Sequence, residues 1–310
     1  MGSRSRADAW SAALLAMVDP AELPEPELPT AGWGREKQEQ WICSRWQSAG
    51  MTEDHFAGEA AKQYDDDLAE MFEPAVVDPA VDFLADLAGD GRALELGVGT
   101  GRIALPLSRR GVPVHGIDLS ADMLAQLRAK LRAELRVEPG TERGAEPGAG
   151  DIALTHGDFA TTTVEGTFRV AYLVFNTIMN LTTQEAQVSC FRNAAAHLET
   201  GGCFVVEVMV PDLQRLPHGE TIRPFQVSPT KLGFDEYDVA TQALTSHHYW
   251  KDAIGWHNQS VPFRYVWPAE LDLMAQLAGL ALRERWGGWQ REPFSSGSTS
   301  HVSVWGKLHA

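Results

Sequence analysis

The sequence has little cysteine and no cysteine pairing pattern. Its 310 residues include Cys43, Cys190 and Cys203, and none of them belongs to a Cys-x-x-Cys pair. An odd number of scattered cysteines argues against a disulfide framework and against a zinc site. We therefore expect free thiols in a reducing compartment and no bound metal.

Long apolar segments are also missing near the N-terminus. The apolar stretch AALLAMV at 12–18 is too short to cross a membrane, and Asp19 and Pro20 follow it at once. We expect neither a signal peptide nor a membrane anchor, and we expect a cytoplasmic location.

Positive charge is scarce. The chain has 26 Lys and Arg residues against 42 Asp and Glu residues, which gives a formal net charge of -16. Nucleic acids and anionic membranes attract basic surfaces, so the composition argues against both as partners. Hydrophobic residues make up 44% of the chain. That share supports a substantial core, and the length suits one large domain with additions.

The residue pattern divides the chain into four parts. Residues 1–51 form an N-terminal extension rich in proline and glutamate. Its tryptophans suit docking on the rest of the chain or on a second subunit, so a homodimer is a candidate assembly. Residues 52–209 form a core, 210–267 an inserted segment, and 268–310 a closing helix and strands of the core.

Strands and helices alternate through the core. Apolar segments such as RALEL and VPVHGID precede helical segments such as ADMLAQLRAKLRAEL. This alternation predicts an α/β fold, with a parallel sheet covered by helices on both faces. In the inserted segment, β-branched and aromatic residues predict two or three antiparallel strands.

Two helices are predicted before the first strand. Thr52 is placed to cap a helix whose apolar residues recur every four positions from 56 to 68. A second helix is predicted to begin at Asp78 and Pro79, since proline suits the first helical position. Further along the chain, a helix within 183–198 is predicted to stop at the glycines at 201 and 202.

The stretch ALELGVGTGRIALPL at 93–107 places Gly97, Gly99 and Gly101 between a strand and a helix. Glycines let a backbone approach a ligand closely, and the helix N-terminus offers free N–H groups. The spacing is Gly-x-Gly-x-Gly, and Arg102 stands where a dinucleotide fingerprint has its third glycine. A turn without a ligand is the plain alternative.

Acidic residues follow the next two strands. Asp118 ends the second strand, where a carboxylate can accept hydrogen bonds from both hydroxyls of a ribose. Its alternative role is a helix cap, but Ser120 already supplies one. Asp158 ends the third strand and can accept a hydrogen bond from an adenine amine, while Phe159 can cover the ring. A simple Gly-Asp turn is the alternative there.

Taken in this order, the segments LELGVGTG, GIDLS, GDF and YLVFNTIMNL resemble the class I S-adenosylmethionine-dependent methyltransferases. The resemblance covers 52–209 well and the closing helix and strands more loosely. It implies a Rossmann-like seven-stranded sheet, mostly parallel with an antiparallel last strand. It also implies S-adenosylmethionine as the cofactor, with these candidate binding residues: Tyr64, Glu95, Gly97, Gly99, Gly101, Asp118, Leu119, Asp158, Phe159, Phe175 and Asn176.

More narrowly, the chain resembles bacterial small-molecule methyltransferases, such as the amino-sugar, glycopeptide and glycine N-methyltransferases. This resemblance implies methyl transfer to nitrogen or oxygen of a small-molecule acceptor, a secondary metabolite. It also implies a β-rich lid at 210–267 and a tyrosine over the cofactor, a place that Tyr64 matches. An ordinary core tyrosine is the alternative.

The acceptor side carries weaker signals. Asn180 stands where some relatives place a histidine that takes the substrate proton, and an amide cannot act as a general base. His247 and His248 are the candidate bases, and strand alternation sends them to opposite faces. The candidate catalytic residues are His247, His248, Asn180 and Tyr64, and the candidate acceptor-binding residues are Met179, Asn180, Glu207, Trp250 and Arg264. Packing within the lid is the alternative for the last two.

Two other functions compete with methyl transfer. A nicotinamide-dependent oxidoreductase would use a similar glycine turn, but Arg102 and the two preceding helices argue against it. A non-catalytic binding protein with a methyltransferase fold is the other alternative, because a fold alone does not fix a function.

Overall fold

The computed structural model describes residues 54, 56–135 and 151–307. The predicted extension at 1–51 and the predicted cap Thr52 lie outside the described residues. The chain forms two compact units, which are treated separately below. The core unit contains Asp54–Pro211 and Val266–Ala310, and the antiparallel unit contains Asp212–Tyr265.

The core unit is built on one seven-stranded sheet with the order β10-β11-β5-β4-β1-β2-β3. Six strands are parallel to one another, and β11 runs antiparallel to both of its neighbours. This confirms the predicted Rossmann-like sheet with an antiparallel last strand. The strands are β1 (Ala93–Leu96), β2 (Val114–Asp118), β3 (Ile152–His156), β4 (Phe168–Leu173), β5 (Leu198–Met209), β10 (Leu280–Trp286) and β11 (Ser300–Lys307).

Helices connect the strands of the core unit. They are α1 (Glu59–Asp67), α2 (Pro74–Ala88), α3 (Ala104–Arg109), α4 (Ala121–Leu135), α5 (Gln184–His197) and α6 (Pro268–Leu277). The N-terminus of α5 is capped by the Thr183 hydroxyl, which accepts a hydrogen bond from the Ala186 N–H at 3.1 Å. Within the described part of the chain, no helix is both long and apolar enough to cross a membrane.

Three predicted helix boundaries were wrong. The helix α1 begins at Glu59, seven residues after the predicted cap, so Phe56 lies outside it. The helix α2 begins at Pro74, because this earlier proline occupies the first helical position and leaves Pro79 inside the helix. The helix α5 ends at His197, and β5 begins at the next residue, before the two glycines.

The middle of the sheet is buried on both faces, as a parallel sheet covered by helices requires. Every residue of β1 is buried. Under α5, the Phe191 ring packs edge-on against Phe204 of β5 at 4.9 Å and against Trp305 of β11 at 5.3 Å. The parallel pairing of β1, β2, β4 and β5 places their carboxyl ends along one edge of the sheet.

The antiparallel unit is a four-stranded sheet with the order β6-β7-β8-β9. Its strands are β6 (Ile222–Val227), β7 (Lys231–Asp238), β8 (Ala243–Lys251) and β9 (Trp256–Arg264). The sequence predicted only two or three strands. The edge strand β6 was missed because it contains Pro224 and does not alternate between buried and exposed residues.

Candidate functional site

The glycine turn lies between β1 and α3, at the carboxyl edge of the core sheet. Gly97, Gly99 and Gly101 all have positive φ angles, of 78°, 53° and 87°. A Cβ atom at Gly97 would lie 2.5 Å from the Thr177 methyl group, and one at Gly101 would meet the Leu127 side chain. A Cβ atom at Gly99 would meet no atom within 4 Å. Internal packing therefore accounts for two of the glycines, while Gly99 presents an open face to a ligand.

Asp118 at the end of β2 is bound to this turn. Its Oδ2 accepts a hydrogen bond from the Gly99 N–H at 2.7 Å, and its Oδ1 accepts one from the Ser120 N–H at 2.8 Å. Ser120 in turn caps α4, since its hydroxyl accepts a hydrogen bond from the Met123 N–H at 3.3 Å. Burial raises the pKa of Asp118, although these two backbone hydrogen bonds act against the rise. Each carboxylate oxygen keeps a second lone pair for a ligand.

The end of β3 brings an aromatic ring to the same edge. The Phe159 ring lies 3.7 Å from the place where a Gly97 Cβ atom would stand. The Asn193 amide holds this loop by donating a hydrogen bond to the Phe159 carbonyl at 2.9 Å. Asp158 forms a local turn in which its Oδ1 accepts a hydrogen bond from the Ala160 N–H at 2.8 Å. This is the simple turn that was named above as the alternative role of Asp158. The contact of Asp158 with adenine stays a prediction.

Glu95 lies beneath the glycine turn. The Tyr172 hydroxyl donates a hydrogen bond to its Oε2 at 2.9 Å, and only 2% of the residue is exposed. Burial raises the pKa of Glu95 to about 8, so the carboxyl group is largely neutral at pH 7. It therefore offers a hydrogen bond rather than a negative charge, and its predicted contact with the cofactor is not tested by this geometry.

The segment after β4 has an unusual backbone. Phe175 and Asn176 both adopt left-handed conformations, with φ angles of 56° and 61°. Such conformations cost free energy in residues other than glycine and concentrate at functional sites. The end of β5 holds them in place: Glu207 Oε2 accepts a hydrogen bond from the Phe175 N–H at 2.8 Å, and the Met209 N–H donates to Asn176 Oδ1 at 2.7 Å.

Glu207 is occupied on both carboxylate oxygens. Besides the Phe175 N–H, it accepts a hydrogen bond from the Trp289 indole N–H at 2.9 Å. Trp289 and Phe83 pack at 5.5 Å and line a cleft of about 400 Å³ beside α2. Glu207 thus positions the turn after β4, and its predicted contact with the acceptor stays a prediction.

Arg102 belongs to this edge, although the sequence indicated only that it was not a glycine. Its guanidinium group lies 4.9 Å from the centroid of the Phe175 ring, and its Nη1 donates a hydrogen bond to the Met71 carbonyl at 3.3 Å. A cation over an aromatic face is stabilising and fixes the ring. The one signal in the sequence for this position of Arg102 was that it directly follows the third glycine.

The helix α1 is tied to the glycine turn. Asp65 Oδ1 accepts a hydrogen bond from the Thr100 hydroxyl at 2.6 Å, and its Oδ2 forms an ion pair with Lys130 of α4. Lys130 also donates a hydrogen bond to the Thr100 carbonyl at 2.9 Å. These three residues form a latch between α1, the turn and α4, which sequence reasoning missed because they are far apart in the chain.

Tyr64 lies next to this latch. Its ring packs edge-on against Phe56 at 6.1 Å, and burial raises the pKa of its hydroxyl. Arg102 and Asp118 are close enough to influence that pKa electrostatically. The tyrosine is therefore near the glycine turn, as its predicted cofactor role requires.

We expect Asp65→Ala to release α1 from the glycine turn and to weaken cofactor binding roughly three- to tenfold. The ion pair is partly exposed, so an effect of about 1 kcal/mol is reasonable. Limited proteolysis with and without cofactor measures the release, and calorimetry measures the affinity. The exposed neighbour Asp66 supplies the matched control, Asp66→Ala. If the cofactor protects both variants equally from proteolysis, the latch is ruled out.

We expect Tyr64→Phe to retain the fold and to lose cofactor affinity or turnover, because only the hydroxyl group is removed. Thermal unfolding checks the fold, and titration with cofactor together with initial rates checks the loss. Kinetics and affinity identical to the unchanged protein would leave Tyr64 as a packing residue.

Two acceptor-side candidates follow the strained segment. Asn180 ends a short 3-10 turn that starts at Thr177, and it is partly exposed. Met179 in the same turn is only 3% exposed. Asn180 is therefore accessible to a ligand, whereas Met179 reaches one only if neighbouring groups move.

In the antiparallel unit, His247 and His248 lie on opposite faces of β8, as alternation predicted. His247 stacks on Phe234 at 4.7 Å, and His248 lies 5.3 Å from Phe225. Trp250 shares the His248 face and is 37% exposed.

Arg264 behaves differently from the other acceptor-side candidates of this unit. It is 5% exposed, and its Nη2 donates a hydrogen bond to Gln242 Oε1 at 3.1 Å. This contact is the lid packing that was the alternative for Arg264, and its role in acceptor binding stays a prediction.

Comparison with known proteins identifies the family. A family profile described as "Methyltransferase domain" matches residues 93–202, which contain the glycine turn, Asp118 and Phe159. The solved structure of the CcbJ methyltransferase from Streptomyces caelestis is 37% identical, with 74% of this chain and 89% of that chain covered and a TM-score of 0.63. The chain belongs to the S-adenosylmethionine-dependent methyltransferases.

Other solved structures share the fold of this methyltransferase at lower identity. A S-adenosylmethionine-dependent methyltransferase from Clostridium acetobutylicum is 12% identical, with 79% and 99% of the two chains covered and a TM-score of 0.62. CalS10 from Micromonospora echinaspora, an amino pentose methyltransferase involved in calicheamicin biosynthesis, is 18% identical, with 92% and 100% covered and a TM-score of 0.53. The comparison with curated proteins finds no match.

Family membership decides between the functions that the sequence left open. The methyltransferase uses S-adenosylmethionine, so neither a nicotinamide-dependent oxidoreductase nor a non-catalytic binding protein is retained. The residues present fit this cofactor, because Gly99 leaves an open face beside a carboxylate with spare lone pairs and a buried aromatic ring.

Proposed function

We propose that the methyltransferase transfers a methyl group to nitrogen or oxygen of a small-molecule acceptor, a secondary metabolite. The observation that carries the proposal is the convergence of Gly99, Asp118 and Phe159 at one edge of the core sheet, in a chain that also has a separate sheet rich in aromatic residues and histidine. The description of CalS10 as an amino pentose methyltransferase supports the acceptor class, although that likeness concerns the fold. The net charge of -16 disfavours nucleic acid.

The cofactor would be held by groups of three chemical kinds. Asp118 accepts hydrogen bonds from the ribose, and the Phe159 ring covers the adenine beside Asp158. The backbone of the glycine turn and of Phe175 and Asn176 faces the methionine part. The remaining candidate contacts of the site are Tyr64, Glu95, Gly97, Gly101 and Leu119.

When bound, S-adenosylmethionine supplies an electrophilic methyl group on a cationic sulfur. The residues of the chain align the acceptor atom with that group, and such alignment accounts for much of the acceleration. Asn180 is a candidate for orienting the acceptor through its amide. An amine must be neutral when it attacks and a hydroxyl must lose its proton, so a base is useful in both cases.

The candidate acceptor contacts differ in how much of each residue is exposed, and only an exposed residue can contact an acceptor without a rearrangement. Asn180 and Trp250 present accessible surface, whereas Met179 and Arg264 are almost completely buried. We propose Asn180 as an acceptor contact of the core unit and keep Trp250 as a separate candidate of the antiparallel unit. We expect substitutions of Met179 and Arg264 to act mainly on stability.

The experiment is a transfer assay with S-adenosylmethionine labelled in the methyl group. The purified protein is incubated with small-molecule metabolites that the enzymes of its gene neighbourhood produce. The products are separated by mass. We expect label in a compound of low molecular mass, and roughly a tenth or less of that label with the Asp118→Ala variant at limiting cofactor. Label found only in protein or nucleic acid would contradict the proposal.

A further inference from the structure

A tryptophan late in the chain is joined to the turn after β4 through one carboxyl group. The Trp289 indole N–H donates a hydrogen bond to Glu207 Oε1 at 2.9 Å, and the Phe175 N–H donates one to Glu207 Oε2 at 2.8 Å. A carboxyl group can accept a hydrogen bond on each oxygen, and both oxygens are used here. All three residues belong to the core unit, so this connection lies within one compact unit.

The turn after β4 depends on such support. Phe175 and Asn176 have φ angles of 56° and 61°, and left-handed residues other than glycine persist only where their surroundings hold them. The Glu207 side chain holds the first residue, and its main-chain carbonyl accepts a hydrogen bond from the Asn176 N–H at 3.3 Å. The Met209 N–H also holds the second residue, through Asn176 Oδ1. Glu207 thus contacts both left-handed residues.

The turn after β4 is packed against the glycine turn. A Cβ atom at Gly97 would lie 2.5 Å from the Thr177 methyl group, and the Thr177 hydroxyl donates a hydrogen bond to the Val174 carbonyl at 2.6 Å. The Arg102 guanidinium group, directly after the glycine turn, lies 4.9 Å from the centroid of the Phe175 ring. A displacement of Phe175 would therefore disturb groups that form the cofactor site.

The loop that carries Trp289 is anchored to α2. The Trp289 ring packs edge-on against Phe83 at 5.5 Å, and the Arg291 guanidinium group lies 4.8 Å from the centroid of the same Phe83 ring. Arg291 also forms an ion pair with Asp86 at 3.6 Å. Because Trp289 lines a cleft of about 400 Å³, close packing does not enclose the indole on every side. The hydrogen bond to Glu207 therefore helps to orient both the indole and the carboxyl group.

A second tryptophan makes the same kind of hydrogen bond elsewhere in the core unit. The Trp286 indole N–H donates to Glu284 Oε2 at 2.8 Å. Both residues lie on β10, which β11 separates from β5 and Glu207. The two pairs share their donor and acceptor groups, and they differ in that the Glu207 carboxyl group also holds Phe175. Trp286 is therefore the matched control for Trp289.

We propose that Trp289 is a positioning residue of the cofactor site. It orients the Glu207 carboxyl group, and Glu207 holds the turn after β4 in the conformation that receives the methionine part of S-adenosylmethionine. This inference rests on the proposed function for the placement of the methionine part at that turn. It gives Glu207 a role that needs no contact with the acceptor, and it makes the loop between β10 and β11 part of the support of the site.

The first test compares two ligands and needs no acceptor. S-adenosylhomocysteine contains the amino acid part, whereas 5′-methylthioadenosine keeps the adenosine and the sulfur but lacks that part. Calorimetric titration gives both dissociation constants at a temperature where thermal unfolding shows that every variant is folded. We expect Trp289→Phe to raise the dissociation constant of S-adenosylhomocysteine roughly three- to tenfold, as for loss of one hydrogen bond, and to leave that of 5′-methylthioadenosine unchanged.

The control Trp286→Phe removes an indole N–H of the same kind, and we expect it to bind both ligands as the unchanged protein does. Unchanged affinity for S-adenosylhomocysteine in Trp289→Phe would overturn the positioning role. Equal losses for the two ligands, or equal losses in the two variants, would also overturn it, because a general loosening of the protein does not distinguish between them.

The second test asks whether Trp289 acts through Glu207. A glutamine accepts hydrogen bonds on its amide oxygen and donates them from its amide nitrogen, so in Glu207→Gln one of the two N–H donors meets another N–H group. We expect roughly tenfold weaker binding of S-adenosylhomocysteine in that variant. Adding Trp289→Phe removes the opposing donor and frees the amide oxygen for Phe175, so part of the affinity should return. Losses that simply add would overturn the connection.

These titrations and the labelled transfer assay can fail separately. If the unchanged protein methylates no small molecule but the affinities change as expected, the acceptor class of the proposed function is wrong and the positioning role stands. If the unchanged protein does methylate a small molecule and Trp289→Phe binds both ligands normally, only the positioning role is wrong.

Discussion

Asp118→Ala is expected to weaken binding of S-adenosylmethionine by about 1.5–3 kcal/mol, which corresponds to roughly a ten- to hundredfold higher dissociation constant. The carboxylate has spare lone pairs for the two ribose hydroxyls, and charge-assisted hydrogen bonds of this kind are the stronger ones. The substitution also leaves the Gly99 N–H without its partner at 2.7 Å, so the glycine turn is loosened as well. Calorimetric titration with cofactor measures the combined loss.

A matched control separates the site from the general loss of a charge. Asp151 is an exposed carboxylate just before β3, at the opposite edge of the sheet, and Asp151→Ala removes the same charge. We expect that variant to bind the cofactor normally. Thermal unfolding without ligand shows how much of the Asp118 effect comes from the turn itself. Unchanged affinity in Asp118→Ala would exclude this carboxylate from the cofactor site.

Glu95→Gln is expected to remove a large pH dependence of stability. The folded protein holds the proton of Glu95 up to a pKa of about 8, while the unfolded chain releases it near the usual value of about 4.5. Between these values the folded state binds more protons, so the free energy of unfolding falls as the pH rises. For a fully buried group, the loss between pH 5 and pH 8 is about 2–4 kcal/mol.

Comparing Glu95→Gln with the unchanged protein isolates the titration of the Glu95 carboxyl group. Glutamine keeps an oxygen for the Tyr172 hydroxyl but cannot ionise, and all other titrating groups are shared by the two proteins. Urea unfolding at pH 5, 6.5 and 8 gives the free energy of unfolding of each. We expect the stability of the unchanged protein to decline relative to that of the variant as the pH rises. Parallel pH curves would mean that Glu95 is ionised throughout.

The fold was predictable where local patterns are strong. The segment ADMLAQLRAKLRAEL forms α4 with the predicted start, because Ser120 caps it and no competing signal lies nearby. The parallel core sheet and its antiparallel last strand were confirmed. The start of α2 was misplaced because two prolines, Pro74 and Pro79, both suit a helix start, and only packing selects between them.

The candidate site was predictable where each residue follows a strand. Asp118 and Phe159 are brought to the glycine turn because the carboxyl ends of neighbouring parallel strands share one edge. The contacts that support this edge were not predictable. Asp65 meets Thr100 across 35 positions and Trp289 meets Glu207 across 82, and no periodicity in the chain links such pairs.

The neighbours of the two histidines show the same limit. Alternation alone separated His247 and His248 onto opposite faces. Their hydrogen-bond partners were not predictable: His248 Nε2 lies 3.1 Å from the Ser246 hydroxyl, and His247 Nδ1 lies 2.8 Å from the Ser260 hydroxyl. The register of β8 against β9 is needed to place Ser260 beside His247.

The most direct measurement of the central claim is a crystal structure of the methyltransferase with S-adenosylhomocysteine bound. The account predicts the ribose hydroxyls within hydrogen-bond distance of the Asp118 carboxylate, the adenine beside Phe159, and the amino acid part over Gly99. A ligand bound elsewhere, with Asp118 contacting only the Gly99 and Ser120 N–H groups, would contradict it.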